Sequence, residues 1–316
     1  MDQEKKITVV GHYGMSLLMD VEHFPAVGET VEGLGLETEP GGKGYNQAIA
    51  ASRLGANVNF ITAVGGDDFG ARCEADLISE KVGGRYIIKF SELKTACAFV
   101  INTGDGKSEV YVYPGAIRHV TPEHIRRYTP AIVGSSLMLL QNEISTEALC
   151  EVVKIAGEAG IEIIYNPAPA RVIPRELFPY ITILTPNETE AAILTGMDPE
   201  KPLDVDRALD MLHGFGAKNV IITMGGQGSV VSQAGKRFHV GALEGKVVST
   251  TGAGDCYNAA LAVKYLETCN ILEAAEYASV AAGMQVMQPG VIANMPYRSE
   301  ADEVFEKMHG AMVSAY

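Results

Sequence analysis

The segment Thr250-Thr251-Gly252-Ala253-Gly254-Asp255-Cys256-Tyr257-Asn258 sets two glycines and a carboxylate directly before the small-residue-rich helical stretch Ala259 to Leu266. Its glycines bring successive backbone N–H groups to a helix N-terminus, where the partial positive charge of aligned peptide dipoles favours an anion. Asp255 then falls in the first turn. One use of such a carboxylate is to cap the helix by accepting from a backbone amide. The other is to act as a base beside an anion hole, aligning a hydroxyl while fixed donors absorb the charge that develops on a phosphoryl group.

Two further glycine-rich segments offer backbone to a ligand. Pro40-Gly41-Gly42-Lys43-Gly44-Tyr45-Asn46-Gln47 opens a helix that runs to about Leu54, so Lys43 and Asn46 can hydrogen-bond a small polar molecule; a plain loop is the alternative. Thr223-Met224-Gly225-Gly226-Gln227-Gly228 follows a strand and can approach nucleotide phosphates, or simply turn a hairpin. None of the three is a Walker A loop, because Gly44 rather than Ser or Thr follows Lys43, and no Gly-x-Gly-x-x-Gly follows the first strand. In Thr185-Pro186-Asn187-Glu188-Thr189-Glu190, Asn187 and Glu190 stand three apart at a helix start and can face one point above the sheet. Magnesium, which prefers oxygen ligands and keeps several waters, suits that point, and helix capping by Glu190 is the alternative. The seven histidines are dispersed with no zincin pair, which argues against catalytic zinc.

These loops need a frame. Apolar segments of strand length recur at Ile7 to Val10, Asn57 to Val64, Leu137 to Leu140, Ile161 to Tyr165, Ile181 to Leu184 and Asn219 to Thr223, mostly as continuous rather than alternating runs. Strands covered on both faces read this way. Helical segments lie between them at Tyr45 to Leu54, Thr146 to Ala159 and Asp204 to Phe215, each followed by glycine, a common helix stop. The alternation predicts an α/β fold: a mostly parallel central sheet with helices on both faces and ligands beyond the carboxyl ends of the strands. One stretch departs from it. Ala96 to Asn102 and Glu109 to Tyr113, joined by Thr103-Gly104-Asp105-Gly106-Lys107, read as a hairpin whose two faces both carry apolar residues. We expect a small projecting sheet that closes over a site and pairs with a second subunit. No linker or repeat divides residues 1–316, which predicts one domain, the lid coming from roughly residues 12–40 and 85–115.

A formal net charge of −14 argues against nucleic acid or an anionic membrane as a partner, since both need a positive surface. No apolar run reaches bilayer-spanning length, and Ile7 follows the first six residues without the features of a secretory signal. Cys73, Cys97, Cys150, Cys256 and Cys269 are odd in number and lack metal-ligand spacing, which fits buried, reduced thiols in the cytoplasm.

Taken in order, these segments resemble the ribokinase family, also called the PfkB carbohydrate kinases, over nearly the whole chain. Phe24-Pro25-Ala26-Val27-Gly28-Glu29-Thr30-Val31, Gly41 to Gln47, Asn166-Pro167-Ala168-Pro169-Ala170-Arg171, Thr185 to Glu190 and Thr251 to Asp255 all look like ribokinase segments at ribokinase-like spacing. The resemblance implies a helix-covered sheet with a small β-lid that also forms a homodimer contact. It implies transfer of the γ-phosphate of MgATP to a primary hydroxyl, with Asp255 as base and the amides of Gly252, Ala253 and Gly254 as anion hole. Asn187 and Glu190 would organise Mg2+, through water, and the phosphates; Thr223, Gly225, Gly226, Gly228, Gly254 and Ser279 would contact the nucleotide. Gly42, Lys43, Asn46 and Glu143 match sugar-contacting positions.

The departures concern the substrate more than the chemistry. Gly14 and Ser16 stand where ribokinases usually carry an Asn and an Asp that hold secondary hydroxyls, so two polar contacts are weakened or lost. We therefore expect the pocket to read its ligand differently from a ribose pocket, with a deoxysugar, a bulkier sugar or a nucleoside able to use the space. Tyr45 replaces a small residue, as a selectivity element or as packing. Ser249 replaces an Asp that helps bind a monovalent cation, with Thr251, Gln285, Gln288, Gly290 and Asn294 at the other matched positions, which puts potassium (K+) activation in question. A sugar kinase leads; a nucleoside kinase, and a non-catalytic sugar or nucleotide sensor on the same fold, are the competitors.

Overall fold

The computed structural model describes residues 5–105 and 107–316. Gly106, in the expected hairpin turn, and Met1 to Glu4 lie outside the described residues. In chain order the strands are β1 (Lys6–Val10), β2 (Gly14–Val21), β3 (Gly33–Gly41), β4 (Asn57–Gly65), β5 (Gly84–Phe90), β6 (Ala96–Thr103) and β7 (Ser108–Tyr113). They continue with β8 (Leu137–Leu140), β9 (Glu162–Tyr165), β10 (Ile183–Leu184), β11 (Asn219–Thr223), β12 (Ser229–Gln233), β13 (Lys236–Val240) and β14 (Val313–Ala315).

Ten of them form one sheet in the order β14-β13-β12-β11-β10-β9-β8-β1-β4-β5. From β11 to β5 every pairing is parallel, as the unbroken apolar runs predict; β12, β13 and β14 extend the sheet antiparallel at one edge. The hairpin alternative at Thr223 to Gly228 accounts for the β11–β12 pair, whereas β13 and β14 were not foreseen. Along β1, Ile7 and Val9 enter the core on one face, shared with helices Lys43–Arg53, Asp68–Ser79, Ala253–Thr268, Ile271–Val286 and Arg298–Met308. Val10 enters the other core, shared with helices Thr146–Glu158, Glu188–Thr195 and Val205–Gly214. The chain leaves β1 for β4 on one side and later returns to β8 on the other. That reversal opens a crevice at the carboxyl ends of β1 and β8, where ligands of open α/β sheets bind.

The second sheet has the order β3-β2-β6-β7, with β2 and β6 parallel and both outer pairs antiparallel. The hairpin between residues 96 and 113 is therefore present, but the second half of the small sheet begins at Ala96 rather than near residue 85. Residues 85–90 belong to β5, which pairs parallel with β4 at the edge of the main sheet, because the pattern Tyr86, Ile87 and Ile88 buries against that layer. Register puts Leu17, Phe99 and Tyr111 in one row and Met19, Leu36 and Ile101 in the next on the same face. Leu18, Val100 and Val110 line the opposite face, with Val112 one row away. Leu36, Phe99, Val110, Tyr111, Val112 and Tyr113 are all exposed, so apolar surface stands open on both faces. No helix among the described residues is long and apolar enough to cross a membrane.

Candidate active site

Asp255 does not cap its helix. The N-cap of Ala253–Thr268 is Gly252, held at φ +82°, where a side chain would be strained, and no side chain caps it. The Asp255 carboxylate is buried, at 5% exposure, and turns toward the neighbouring helix Lys43–Arg53. Asn46 Nδ2 donates to its Oδ2 at 2.9 Å and Gln47 Nε2 to its Oδ1 at 3.0 Å. The capping alternative fails because these amides, not a backbone N–H, satisfy the carboxylate. Burial pushes the Asp255 carboxyl above the usual aspartate range, while Lys43 and the two amides partly offset that rise. A carboxylate so placed takes up a proton more readily than a free aspartate.

Behind Asp255 runs a chain of buried amides that the sequence alone did not single out. Gln141 Nε2 donates to Gln47 Oε1 at 2.5 Å, and Gln47 Nε2 also reaches Asn166 Oδ1 at 3.3 Å. Asn166 Nδ2 donates to Thr185 O at 3.1 Å, Thr185 Oγ1 to Asn258 Oδ1 at 2.5 Å, and Asn258 Nδ2 returns to Gly254 O at 2.8 Å. A carboxylate only accepts, so Gln47 must present its nitrogen, and that fixes each following amide in turn. The available signal was a polar residue directly after an apolar strand, as at Gln141 after β8 and Asn166 after β9.

In front of Asp255 stand the amides that the resemblance gives as an anion hole. The amides of Gly252 and Gly254 have no acceptor among the described residues, and nothing lies within 4 Å of where a Cβ on Gly254 would sit. Ala253 differs: its N–H already donates to Thr250 O at 3.2 Å in a long turn bond.

The other expected sugar-side residues gather nearby. Gly42, at φ +104°, is the N-cap of Lys43–Arg53, and a Cβ there would come within 2.6 Å of His12 O. Lys43 N donates to Glu143 Oε2 at 2.7 Å, which also lies 3.4 Å from His12 Nδ1. Burial would raise the Glu143 carboxyl, but His12 and Lys43 outweigh it and hold it below the usual range. The Lys43 ammonium is pushed up, first by Asp255 and also by Glu143 and Glu190, against the opposing effect of burial. Four expected residues thus share one electrostatic cluster. Tyr45 is packing: it is 1% exposed and meets the Tyr13 ring edge-on at 5.3 Å.

The expected space at Gly14 is filled. A Cβ on Gly14 would lie 2.7 Å from Ala96 O and 2.9 Å from His12 Nε2, so the His12 imidazole stands where a side chain at residue 14 would go. His12 Nε2 is buried and without a partner among the described residues. Ser16 Oγ would meet a Cβ on Gly41 at 3.2 Å, which places it against the end of β3.

Asn187 and Glu190 form a reciprocal capping box. Asn187 N and Nδ2 donate to Glu190 Oε2 and Oε1 at 2.9 and 3.1 Å, and Glu190 N donates to Asn187 Oδ1 at 2.8 Å. The capping reading of Glu190 is what the geometry shows; burial also raises its carboxyl while Asn187 and Lys43 draw it down and Asp255 pushes it up, which ties it to the same cluster. Oxygen donors with spare lone pairs suit magnesium, and a single carboxylate suits contact through water. Thr223 ends β11 and bridges Asn187, and Thr223 to Gly228 makes the turn from β11 into β12. Gly225 and Gly226 there face open space, whereas a Cβ on Gly228 would collide with Val240 O at 2.0 Å. Ser279 is buried on helix Ile271–Val286 and donates to Gly241 O at 2.8 Å. Of the cysteines, Cys73 and Cys256 are buried; Cys97 and Cys150 are only partly so. Cys269 is exposed at a helix C-cap with φ +54°, against expectation, because the helix ends there in a left-handed turn.

A helix-covered, mostly parallel sheet with a second, four-stranded sheet and a buried aspartate at a glycine-rich helix N-terminus matches the carbohydrate kinase class. The family model described as "pfkB family carbohydrate kinase" matches residues 4–298, and the chain belongs to that family. It is 36% identical over 300 residues to a ribokinase of Bacillus subtilis, spanning 95% of this chain and 99% of the relative. It is 29% identical to a deoxyribokinase of Salmonella typhi, over 94% and 97% of the two chains. Among solved structures, Arabidopsis thaliana ribokinase complexed with ribose and ATP superposes with a TM-score of 0.87 at 31% identity, over 96% of this chain and 99% of that one. The protein is thus a phosphotransferase with an alcohol group as acceptor.

Proposed function

We propose that this protein transfers the γ-phosphoryl group of ATP to the primary hydroxyl of a small sugar, with Asp255 as the base. One observation carries the proposal: a buried carboxylate with a raised proton affinity, held by Asn46 and Gln47, lies behind the open amides of Gly252 and Gly254. Asp255 takes the hydroxyl proton as the oxygen attacks phosphorus, and the amides of Gly252, Gly254 and, once released from Thr250, Ala253 receive the charge. Lys43 adds a cation to the same space. Asn187 and Glu190 would hold magnesium through water, which when bound supplies charge neutralisation at the phosphates. The turn Thr223 to Gly228 offers the backbone of Gly225 and Gly226 to the nucleotide.

Pentoses and deoxypentoses are the first acceptors to test, since the relatives carry those names. The departures at Gly14 and Ser16 support a pocket that reads secondary hydroxyls differently from other ribokinases, with His12 in place of the missing side chain. That same imidazole occupies space that a bulkier sugar or a nucleoside would use, so it has to shift for either. We further propose a homodimer through the exposed lid sheet and a cytoplasmic setting, the latter supported by five cysteines without a disulfide.

Mass spectrometry of products from a mixed panel of pentoses, deoxypentoses, hexoses, ketoses and nucleosides with MgATP tests the proposal. The expected outcome is a sugar monophosphate esterified at the primary hydroxyl. Calorimetric binding of a sugar with no phosphorylated product would overturn it and favour a sensor.

A further inference from the structure

The loop that carries the anion hole is held from behind by the end of helix Ile271–Val286. The amides of Val248 and Ser249 both donate to Val286 O, at 2.8 and 3.1 Å. Gln285, fully buried, sends its Nε2 to Thr251 O at 2.8 Å and to Gly290 O at 3.4 Å. Asn294 likewise turns its Nδ2 toward Pro289 O. Two carboxamides therefore aim N–H groups at the carbonyls of Thr251, Pro289 and Gly290, which come from two different loops.

Carbonyl oxygens gathered in this way repel one another unless positive charge lies among them, and a bound cation is one source of it. The ribokinase resemblance implies a monovalent cation at Ser249, Thr251, Gln285, Gln288, Gly290 and Asn294. The side chains present do not fit one. Ser249 brings no charge, and its Oγ accepts from Thr251 N at 3.4 Å. Thr251 O and Gly290 O already receive the two hydrogens of one amide nitrogen. Turning that amide over would set Gln285 Oε1 against both carbonyls, so its orientation is fixed even though Oε1 finds no partner.

We propose that the Gln285 carboxamide takes the place of a monovalent cation, so that the Thr251–Gly254 loop keeps its shape, and phosphoryl transfer proceeds, without potassium. The second clause rests on the function proposed above; the first does not. Gln285 acts as a positioning residue: it touches Thr251 O, the peptide oxygen that precedes Gly252, and through it sets the direction of the anion-hole amides.

The test compares potassium chloride with choline chloride at equal ionic strength, reading both melting temperature and initial rate. For wild type, both readouts should be the same in the two salts, the rates agreeing within about twofold. A ligand that binds only the native state raises its melting temperature with concentration, so a potassium-dependent rise in wild type would overturn the proposal whether or not any acceptor turns over. Gln285→Ala should lose about 10- to 100-fold in rate in choline chloride, as expected for a slightly displaced anion hole, and recover part of it in potassium chloride. Gln285→Met, of similar length without the donor, replaces it if the alanine variant does not fold. Full activity of the substituted enzyme in both salts would overturn the positioning role.

Discussion

Replacing Asp255 separates its chemical role from its structural one. Ionised and buried, with a folded-state pKa above its unfolded value, Asp255 opposes folding. The folded state binds the proton more tightly, so this penalty is complete above the folded pKa and disappears as pH falls below the unfolded one. Asp255→Asn removes the charge and keeps the shape. Its single oxygen can accept from Gln47, and Asn46, whose Oδ1 has no partner, can turn its amide to accept from the new NH2. Asp255→Ala instead strands Asn46 Nδ2, while Gln47 Nε2 keeps Asn166 at 3.3 Å. One stranded buried donor costs about 1–3 kcal/mol. At about 2 °C per kcal/mol for a chain this long, the alanine variant should melt roughly 2–6 °C below the asparagine variant. Asp255→Asn itself should melt at or above wild type at neutral pH, and its advantage should shrink on acidification. Both variants should lose about 10²- to 10⁴-fold in kcat, measured by ADP release. Wild-type activity should have an acid limb above the ordinary aspartate range. An asparagine variant that keeps turnover within tenfold, or whose melting advantage grows as pH falls, refutes the assignment.

Gly14→Asn tests whether His12 fills the missing side chain's place. Alone it should be destabilised and weaken sugar KM, because its Cβ meets Ala96 O and His12 Nε2; combined with His12→Ala it should regain part of the loss, with a coupling of about 0.5–3 kcal/mol in a double-mutant cycle of melting or binding. Phe99→Asp with Tyr111→Asp places charge in the exposed row of the lid, and analytical ultracentrifugation should then find monomer where wild type is dimer; a wild-type monomer removes the dimer proposal.

The parallel sheet was legible because strands covered on both faces become unbroken apolar runs, as at Leu137 to Leu140, whose bounds agree with β8. The outer part of the antiparallel edge was not, because β13, Lys236–Val240, is mixed in character and β14 has three residues. The lid's start was set too early because Arg85 to Phe90 alternates like a half-exposed strand, which is how an edge strand also reads. In the site, Asp255, Lys43, Asn46 and Glu143 were found by their place beside glycines or strand ends, and the fold brings them together. Gln47, Gln141 and Asn258 belong to a relay of amides joined across the fold, and beyond the polar residue that follows a strand such a relay leaves little trace along the chain. The filled space at Gly14 was equally hidden, since His12 is two residues away and reaches it only through the bend between β1 and β2.

The four-stranded sheet is rooted directly in the candidate site. Strand β2 begins at Gly14, two residues after His12, and β3 ends at Gly41, next to the residue that starts the helix bearing Asn46 and Gln47. Both ends of the β2–β3 pair are therefore joined to segments of the candidate site: His12 on one side, and on the other the helix whose Asn46 and Gln47 donate to Asp255. Displacing this sheet would carry those two amides with it, so its position and the setting of the carboxylate are mechanically linked.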